Sequence, residues 1–228
     1  MIFDLDGTTL DSSKEGKRRL RVLCEINGIS FNEETQARVY AEWGKPVIPM
    51  LITGLGISRK KAKQINQQWE IWDRVEPVAL IRGARGVLAS LKQRKFDVVL
   101  FTSRHTENAA NVIDAHLLGN FFSLVVGIEG DAKGNLPSGI YKKENPASFR
   151  AIVSSIARMR GVADEKMKVV YIGDTVIDVA QAMDAGLNVI AVLTGEKKEE
   201  DFLRIGVPLE NILLSVKEFP EWIKRFWR

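Results

Sequence analysis

From Gly83 onward, the sequence alternates apolar segments with helical segments, and this alternation constrains the fold more than any other feature. The apolar segments read DVVLFTS, FFSLVVG, MKVVYIGD, LNVIAVL and NILLS, and helical patterns of about ten to fifteen residues separate most of them. A polar loop rich in glycine and lysine is predicted from Glu129 to Asn145. Strands joined through helices form βαβ crossovers in one parallel sheet. The sequence therefore predicts an α/β fold with a three-layer, Rossmann-like parallel-sheet core.

The chain opens with MIFDLDGT, which combines the start of a buried strand with two carboxylates and a glycine. Ile2 and Phe3 are apolar, as expected for a strand that joins the sheet. In extended backbone, Asp4 and Asp6 lie on the same side, roughly 6 to 7 Å apart, and Gly7 allows a sharp turn afterwards. Carboxylates at this end of a central strand lie where open α/β sheets bind ligands. They suit a divalent cation or divided acid and base roles, although DxDG alone is also typical of an acidic turn.

Residues 12–79 have a different character, because they contain helical patterns and no β-branched apolar run. Three helices are predicted there, one in KEGKRRLRVLCEI, one that begins at Asn32 and one that begins at Ser58. The first strand must still join the sheet that follows. The sequence therefore predicts an α/β core of residues 1–11 and 80–228 and a small all-helical domain, 12–79, inserted after the first strand.

Composition and charge narrow the range of functions. Apolar residues make up 45% and charged residues 27% of the 228 residues, as in an ordinary soluble globular protein. The single cysteine, Cys24, excludes an internal disulfide framework and a Cys-rich zinc site. The formal net charge of +4 is spread among alternating basic and acidic residues, which argues against a nucleic-acid partner, and no apolar run reaches membrane-spanning length. A cytoplasmic protein is predicted, without a defined oligomeric state.

Polar groups follow two later strands and one loop, as a site at one edge of the sheet requires. VVLFTSR ends in Thr102 and Ser103, VVYIGD ends in Asp174, and two lysines precede Pro146. Strand-end DxDGT, strand-end Thr-Ser, a loop lysine and strand-end GDxxxD together resemble the four motifs of the haloacid dehalogenase (HAD) superfamily. The resemblance covers the whole chain. Within the superfamily, the chain is similar to the phosphatase type with a helical cap inserted after the first motif, in particular to the phosphoglycolate-phosphatase-like group.

The resemblance implies unequal roles for the acidic residues. Asp4 would attack phosphorus and become an aspartyl phosphate, and Asp6 would act as general acid and then as general base. In the family, the nucleophile, the backbone carbonyl of the second aspartate and the fourth-motif aspartate bind Mg²⁺. Carried over, these ligands are Asp4, Asp6 and Asp174.

The resemblance also assigns the phosphate-binding and supporting residues. Thr102 and Ser103 would hold phosphate oxygens, and Lys143 would place a positive charge against the phosphate and the nucleophile. Lys143 is chosen over Lys142 because KENPASF reproduces the K-x-x-P-x-x-F spacing of the family. Asp178, one helical turn after the fourth-motif aspartate, would support the metal site.

The predicted function is a Mg²⁺-dependent phosphatase that hydrolyses a small phosphorylated metabolite, a phosphomonoester. Asp6 favours phosphate monoesters, because dehalogenases of the superfamily lack an aspartate at this position. A phosphosugar mutase of the same superfamily stays open, since it retains both aspartates. From another class, a receiver-like phospho-accepting signalling module also uses aspartates, a Thr or Ser and a Lys around Mg²⁺, but it lacks a helical insert after its first strand.

Overall fold

The computed structural model describes residues 1–136, 139 and 141–227 and divides into two compact units. Met1–Asp11 and Ala79–Arg228 form an α/β unit, and Ser12–Val78 forms a helical unit. Ala79, which the sequence analysis assigned to the insert, belongs to the α/β unit, and its carbonyl accepts a hydrogen bond from the Asp11 amide. The predicted loop contains Pro137, Ser138 and Ile140, and the predicted last helix ends in Arg228; these four residues lie outside the described ones.

The secondary-structure elements are numbered in chain order. The strands are β1 (Ile2–Phe3), β2 (Val99–Phe101), β3 (Leu124–Gly127), β4 (Gly130–Asp131), β5 (Val170–Gly173), β6 (Asn188–Val192) and β7 (Ile212–Leu213). The helices are α1 (Ser12–Ile26), α2 (Glu33–Ala41), α3 (Val47–Leu55), α4 (Arg59–Val75), α5 (Ala84–Gln93), α6 (Thr106–Ala115), α7 (Pro146–Arg160), α8 (Val176–Asp184), α9 (Glu199–Arg204) and α10 (Phe219–Phe226). Short 3₁₀ turns occupy Gly119–Phe121, Asp164–Lys166, Leu209–Asn211 and Val216–Glu218. Within the described residues, no helix is long and apolar enough to cross a membrane.

The strands of the α/β unit form one sheet with β1 near its centre. The order is β4-β3-β2-β1-β5-β6-β7, and β1 pairs in parallel with both β2 and β5. Every pairing is parallel except that of β3 with β4. The predicted α/β fold class is confirmed. Because parallel strands end at the same edge, the residues that follow β1, β2 and β5 meet there.

The sheet contains one strand that the sequence analysis missed. Gly130–Asp131 lies inside the predicted polar loop and pairs antiparallel with the end of β3, through Gly127 and Val126. The backbone of Gly130 has a φ of 111°, which a side chain would disfavour. The prediction of an uninterrupted loop from Glu129 to Asn145 was wrong here. A strand made of one glycine and one aspartate shows no alternation of apolar and polar residues, so the sequence carries no signal for it.

The helical unit has one more helix than the sequence indicated. Asn32 caps α2 by accepting from the Thr35 amide, and Ser58 caps α4 by accepting from the Lys61 amide. The additional helix, α3, follows Pro46, and its own proline lies in the first turn, where no hydrogen-bond donor is lost. The sequence predicted no helix between the one that begins at Asn32 and the one that begins at Ser58, so α3 was missed.

An aromatic cluster joins the elements that carry the strand-end residues. Phe149 of α7 packs edge-to-face against Phe101 of β2 and Tyr171 of β5, with ring centroids 5.1 Å apart in each case. All three side chains are buried. Such packing fixes the ends of β2 and β5 relative to the loop that precedes α7.

Candidate active site

The first aspartate lies directly after β1 and is buried. The Asp4 amide donates to the Ile172 carbonyl at 2.9 Å, which continues the pairing with β5 by one residue. Asp4 is only 3% exposed, and its Oδ1 accepts a hydrogen bond from the Leu5 amide at 2.6 Å. The chain then turns through Gly7, whose φ is 70°. Strand β1 ends at Phe3, although extended backbone was predicted through Asp6, so Asp6 lies beyond the strand.

Lys143 is buried between two carboxylates. Its Nζ lies 2.8 Å from Asp4 Oδ2 and 2.5 Å from Asp178 Oδ2. Burial alone would lower the pKa of Lys143, but the charges of Asp178 and Asp4 raise it above its ordinary value. Lys142, the alternative in the sequence, is exposed. The structure therefore brings Lys143 to the first aspartate and leaves its neighbour at the surface.

Asp174 follows β5 and is held in a close-fitting recess. The Thr8 hydroxyl donates to its Oδ1 at 3.4 Å. A Cβ added at Gly7 would lie 2.2 Å from Asp174 Oδ2, and one added at Gly195 would lie 1.9 Å from it. Thr175, rather than Asp174, caps α8, because its hydroxyl accepts from the Asp178 amide. The two glycines therefore leave room for a carboxylate that is not used as a helix cap.

The electrostatics of the aspartates fit a bound cation. Burial, together with the charges of Asp178 and Asp6, raises the pKa of Asp4 to about 6, although Lys143 opposes the rise. Burial and the charge of Asp4 raise the pKa of Asp174 well above its ordinary value. In the described part of the chain, no three His, Cys, Asp or Glu side chains cluster as metal ligands. The predicted set has only two such side chains and a backbone carbonyl, all oxygen donors that suit Mg²⁺.

Thr102 and Ser103 lie where the end of β2 meets the end of β3. Thr102 is buried, and its amide donates to the Val126 carbonyl at 3.0 Å. Its hydroxyl accepts from the Arg104 amide at 3.2 Å. Ser103 is partly exposed. The aspartates and these two residues thus follow neighbouring strands of the sheet.

Arg104 is a residue of the site that the sequence analysis did not identify. Its Nε and Nη2 donate to Asp6 Oδ2 and Oδ1, each at 2.7 Å, which forms a bidentate ion pair. The side chains are partly exposed, 18% for Arg104 and 37% for Asp6. A cation directly after the Thr-Ser turn was the available signal, but nothing in the sequence connects it with the first motif.

Comparison with known proteins identifies the family of the chain. A family model described as haloacid dehalogenase-like hydrolase matches residues 1–192. The chain belongs to the haloacid dehalogenase-like hydrolase family. A phosphoglycolate phosphatase of Cereibacter sphaeroides is 27% identical over 197 residues, covering 82% of this chain and 81% of the relative. The predicted family and the predicted class of enzyme, a phosphoric monoester hydrolase, are confirmed.

Solved structures of family members share the fold. A haloacid dehalogenase-like family hydrolase from Streptococcus pneumoniae matches with a TM-score of 0.72 and 18% identity, over 97% of this chain and 96% of that one. A candidate β-phosphoglucomutase from Thermotoga maritima also matches with a TM-score of 0.72, at 21% identity over 99% of this chain and 98% of that one. At sequence identities this low, the similarity shows a shared fold and nothing about activity. The roles of individual site residues stay predictions.

Proposed function

We propose that this family member is a Mg²⁺-dependent phosphatase that hydrolyses a small phosphomonoester through an aspartyl phosphate on Asp4. The observation that carries the proposal is the burial of Asp4 at 2.8 Å from Lys143 Nζ. The lysine keeps a buried carboxylate ionised and adds positive charge where phosphate oxygens gather. Phosphoryl transfer needs little more than a positioned nucleophile and neutralised charge.

In the first half of the reaction, a carboxylate oxygen of Asp4 attacks phosphorus and the bond from phosphorus to the leaving oxygen breaks. Asp6 gives its proton to that oxygen, so that the product leaves as an alcohol. Thr102, through its hydroxyl, and Ser103, through its amide, would hold phosphoryl oxygens. The enzyme then carries an aspartyl phosphate.

In the second half, a water molecule attacks phosphorus while Asp6, now a carboxylate, takes one of its protons. The bond between phosphorus and the Asp4 oxygen breaks, which releases phosphate and regenerates the Asp4 carboxylate. Asp6 is protonated again, so that the cycle closes. The same residue therefore serves as acid and base in alternate steps.

Asp4, Asp174 and the backbone carbonyl of Asp6 would hold Mg²⁺. When bound, the ion supplies positive charge that offsets the anionic oxygens of the phosphoryl group. Its charge would also relieve the mutual destabilisation that raises the pKa values of Asp4 and Asp174. Asp178 would act indirectly, by positioning Lys143.

The substrate is proposed to be a small phosphorylated metabolite in the cytoplasm, and phosphoglycolate is the first candidate because the Cereibacter relative bears that name. The helical unit, Ser12–Val78, is proposed as a cap that selects the substrate. A phosphosugar mutase is the second candidate, favoured by the likeness to the Thermotoga structure. A mutase would convert a sugar phosphate into its isomer and release phosphate only slowly.

Turnover of para-nitrophenyl phosphate and of a panel of phosphorylated metabolites tests the proposal. We expect many turnovers per enzyme with Mg²⁺ and none with EDTA, measured as released phosphate. A phosphoprotein that persists for minutes without multiple turnover would instead support the receiver-like signalling module. Isomerisation of a sugar phosphate without comparable phosphate release would support the mutase.

The role of Asp174 can be tested without removing a functional group, because the carboxylate is closely packed. In Gly195→Ala, the new Cβ would overlap the Asp174 carboxylate, so the carboxylate must shift. We expect turnover to fall about 100-fold or more, because displacement of a reacting group by about 1 Å costs that much. Gly86→Ala is the matched control, since a Cβ there meets nothing within 4 Å and the residue lies in α5. Unchanged kinetics and Mg²⁺ requirement in Gly195→Ala would contradict the role given to Asp174.

A further inference from the structure

The bidentate ion pair between Arg104 and Asp6 is not explained by the proposed reaction. Each Asp6 oxygen lies 2.7 Å from a guanidinium nitrogen. A general acid must instead direct one of these oxygens, with a proton, at the leaving oxygen of the substrate. In the bidentate pair, both oxygens are turned towards the guanidinium. The acid role of Asp6 therefore competes with its ion pair to Arg104.

The position of Arg104 relative to the leaving group follows from the same contacts. A general acid works at about 2.6 to 3.2 Å from the atom that it protonates. Because the guanidinium lies 2.7 Å from the same carboxylate, Arg104 lies within about 6 Å of the leaving oxygen. An anionic group on the neighbouring carbon of the leaving group would come within reach of the guanidinium. A bidentate arginine is well suited to bind such a carboxylate.

The backbone of Arg104 is fixed by hydrogen bonds and packing, whereas its side chain is partly exposed. The amide donates to Thr102 Oγ1 at 3.2 Å, and the carbonyl accepts from the Ile128 amide at 3.0 Å. A Cβ added at Gly127 would lie 2.7 Å from that carbonyl, so β3 packs tightly against this backbone. The side chain is partly exposed at the open edge of the sheet. Exchange of one carboxylate partner for another therefore leaves this backbone in place.

We propose that Arg104 is a latch on Asp6, and that a carboxylate on the leaving side of the substrate opens it by taking over the guanidinium. Arg104 is a positioning residue in this scheme, and the scheme rests on the proposed phosphatase function. The exchange replaces one ion pair by another, so its electrostatic cost is small. A phosphomonoester without a second anion leaves the latch closed. The latch thus couples recognition of the leaving group to the release of the acid.

The test compares two substrates that differ in the second anion, phosphoglycolate and ethyl phosphate, both with Mg²⁺. We expect the wild-type protein to prefer phosphoglycolate. In Arg104→Gln, kcat/KM for phosphoglycolate should fall about 10- to 100-fold, which corresponds to loss of a charged hydrogen-bonded pair. For ethyl phosphate, kcat should stay the same or rise, because Asp6 is already released. Arg104→Lys should be intermediate, and Arg158→Gln, an exposed change on α7, should behave as wild type.

The possible outcomes distinguish failure of the latch from failure of the proposed phosphatase function. A wild-type protein that hydrolyses no phosphomonoester overturns the phosphatase proposal and the latch with it. An active wild-type protein that favours ethyl phosphate, or whose selectivity is unchanged in Arg104→Gln, overturns the latch alone. An equal rise in KM for both substrates would show that Arg104 binds the phosphoryl group, which also overturns it. If thermal melting shows that Arg104→Gln does not fold, Arg104→Lys provides the same comparison of kcat and KM.

Discussion

We expect Asp4→Asn to abolish Mg²⁺-dependent turnover and to leave the fold intact. The amide cannot attack phosphorus, and we expect kcat to fall about 10⁴-fold or more, as when a covalent nucleophile is removed. Stability should change little, because asparagine has the same shape and a buried carboxylate with a raised pKa is lost. Lys143 retains Asp178 as its partner. Released phosphate gives the rate, and thermal melting gives the stability.

Asp184→Asn provides the matched control for this change. Asp184 is the last residue of α8 and is exposed, so the same substitution there removes a charge from the surface alone. We expect wild-type kinetics and melting in this variant. Full activity in Asp4→Asn would contradict the assignment of Asp4 as nucleophile, whatever the control shows.

Lys143→Met should damage both stability and activity. The substitution leaves Asp4 and Asp178 buried without the cation that lies within 2.8 Å of each. Removal of one partner from a buried ion pair costs about 3 to 5 kcal/mol in the free energy of unfolding, which urea denaturation measures. The loss should be smaller at pH 5 than at pH 8. Without the lysine, which opposes the effect of burial, the pKa of Asp4 rises further, so its neutral form, which burial favours, predominates at lower pH.

Two further variants make this prediction specific. Lys142→Met changes the exposed neighbour and should leave stability and turnover unchanged. Asp178→Asn added to Lys143→Met should recover part of the lost stability, because one uncompensated buried charge is removed, but it should not recover turnover. Equal effects of Lys142→Met and Lys143→Met would show that the wrong lysine has been assigned.

The main features of the fold could be predicted because their signals are local. Alternating apolar and helical segments indicated the parallel sheet, and the polar residues after β1, β2 and β5 indicated the edge at which a site forms. The elements that escaped prediction carry weak local signals. Strand β4 is Gly130–Asp131, with no apolar residue, and α3 contains a proline that resembles a helix break.

In the candidate site, too, residues in local motifs could be predicted, whereas a contact between distant residues could not. The spacing of Asp4 and Asp6, and of Asp174 and Asp178, marked four acidic residues by their position in local motifs. Arg104 and Asp6 are 98 residues apart, and no local pattern reports a contact over that distance. The resemblance predicted a lysine beside Asp4, but no signal in the sequence indicated an arginine on Asp6. Asp4 is buried against a lysine, whereas Asp6 is partly exposed against an arginine.

The sequence by itself determined most of the strands and helices along the chain, the family, and the residue types brought to one edge of the sheet. It could do so because periodicity and strand-end motifs are properties of neighbouring residues. Only the tertiary structure decided that Gly7 and Gly195 lie against Asp174 and that Arg104 holds Asp6. These contacts depend on how β1, β2, β5 and the loop before α7 pack together, and a difference of about one side-chain length changes each of them.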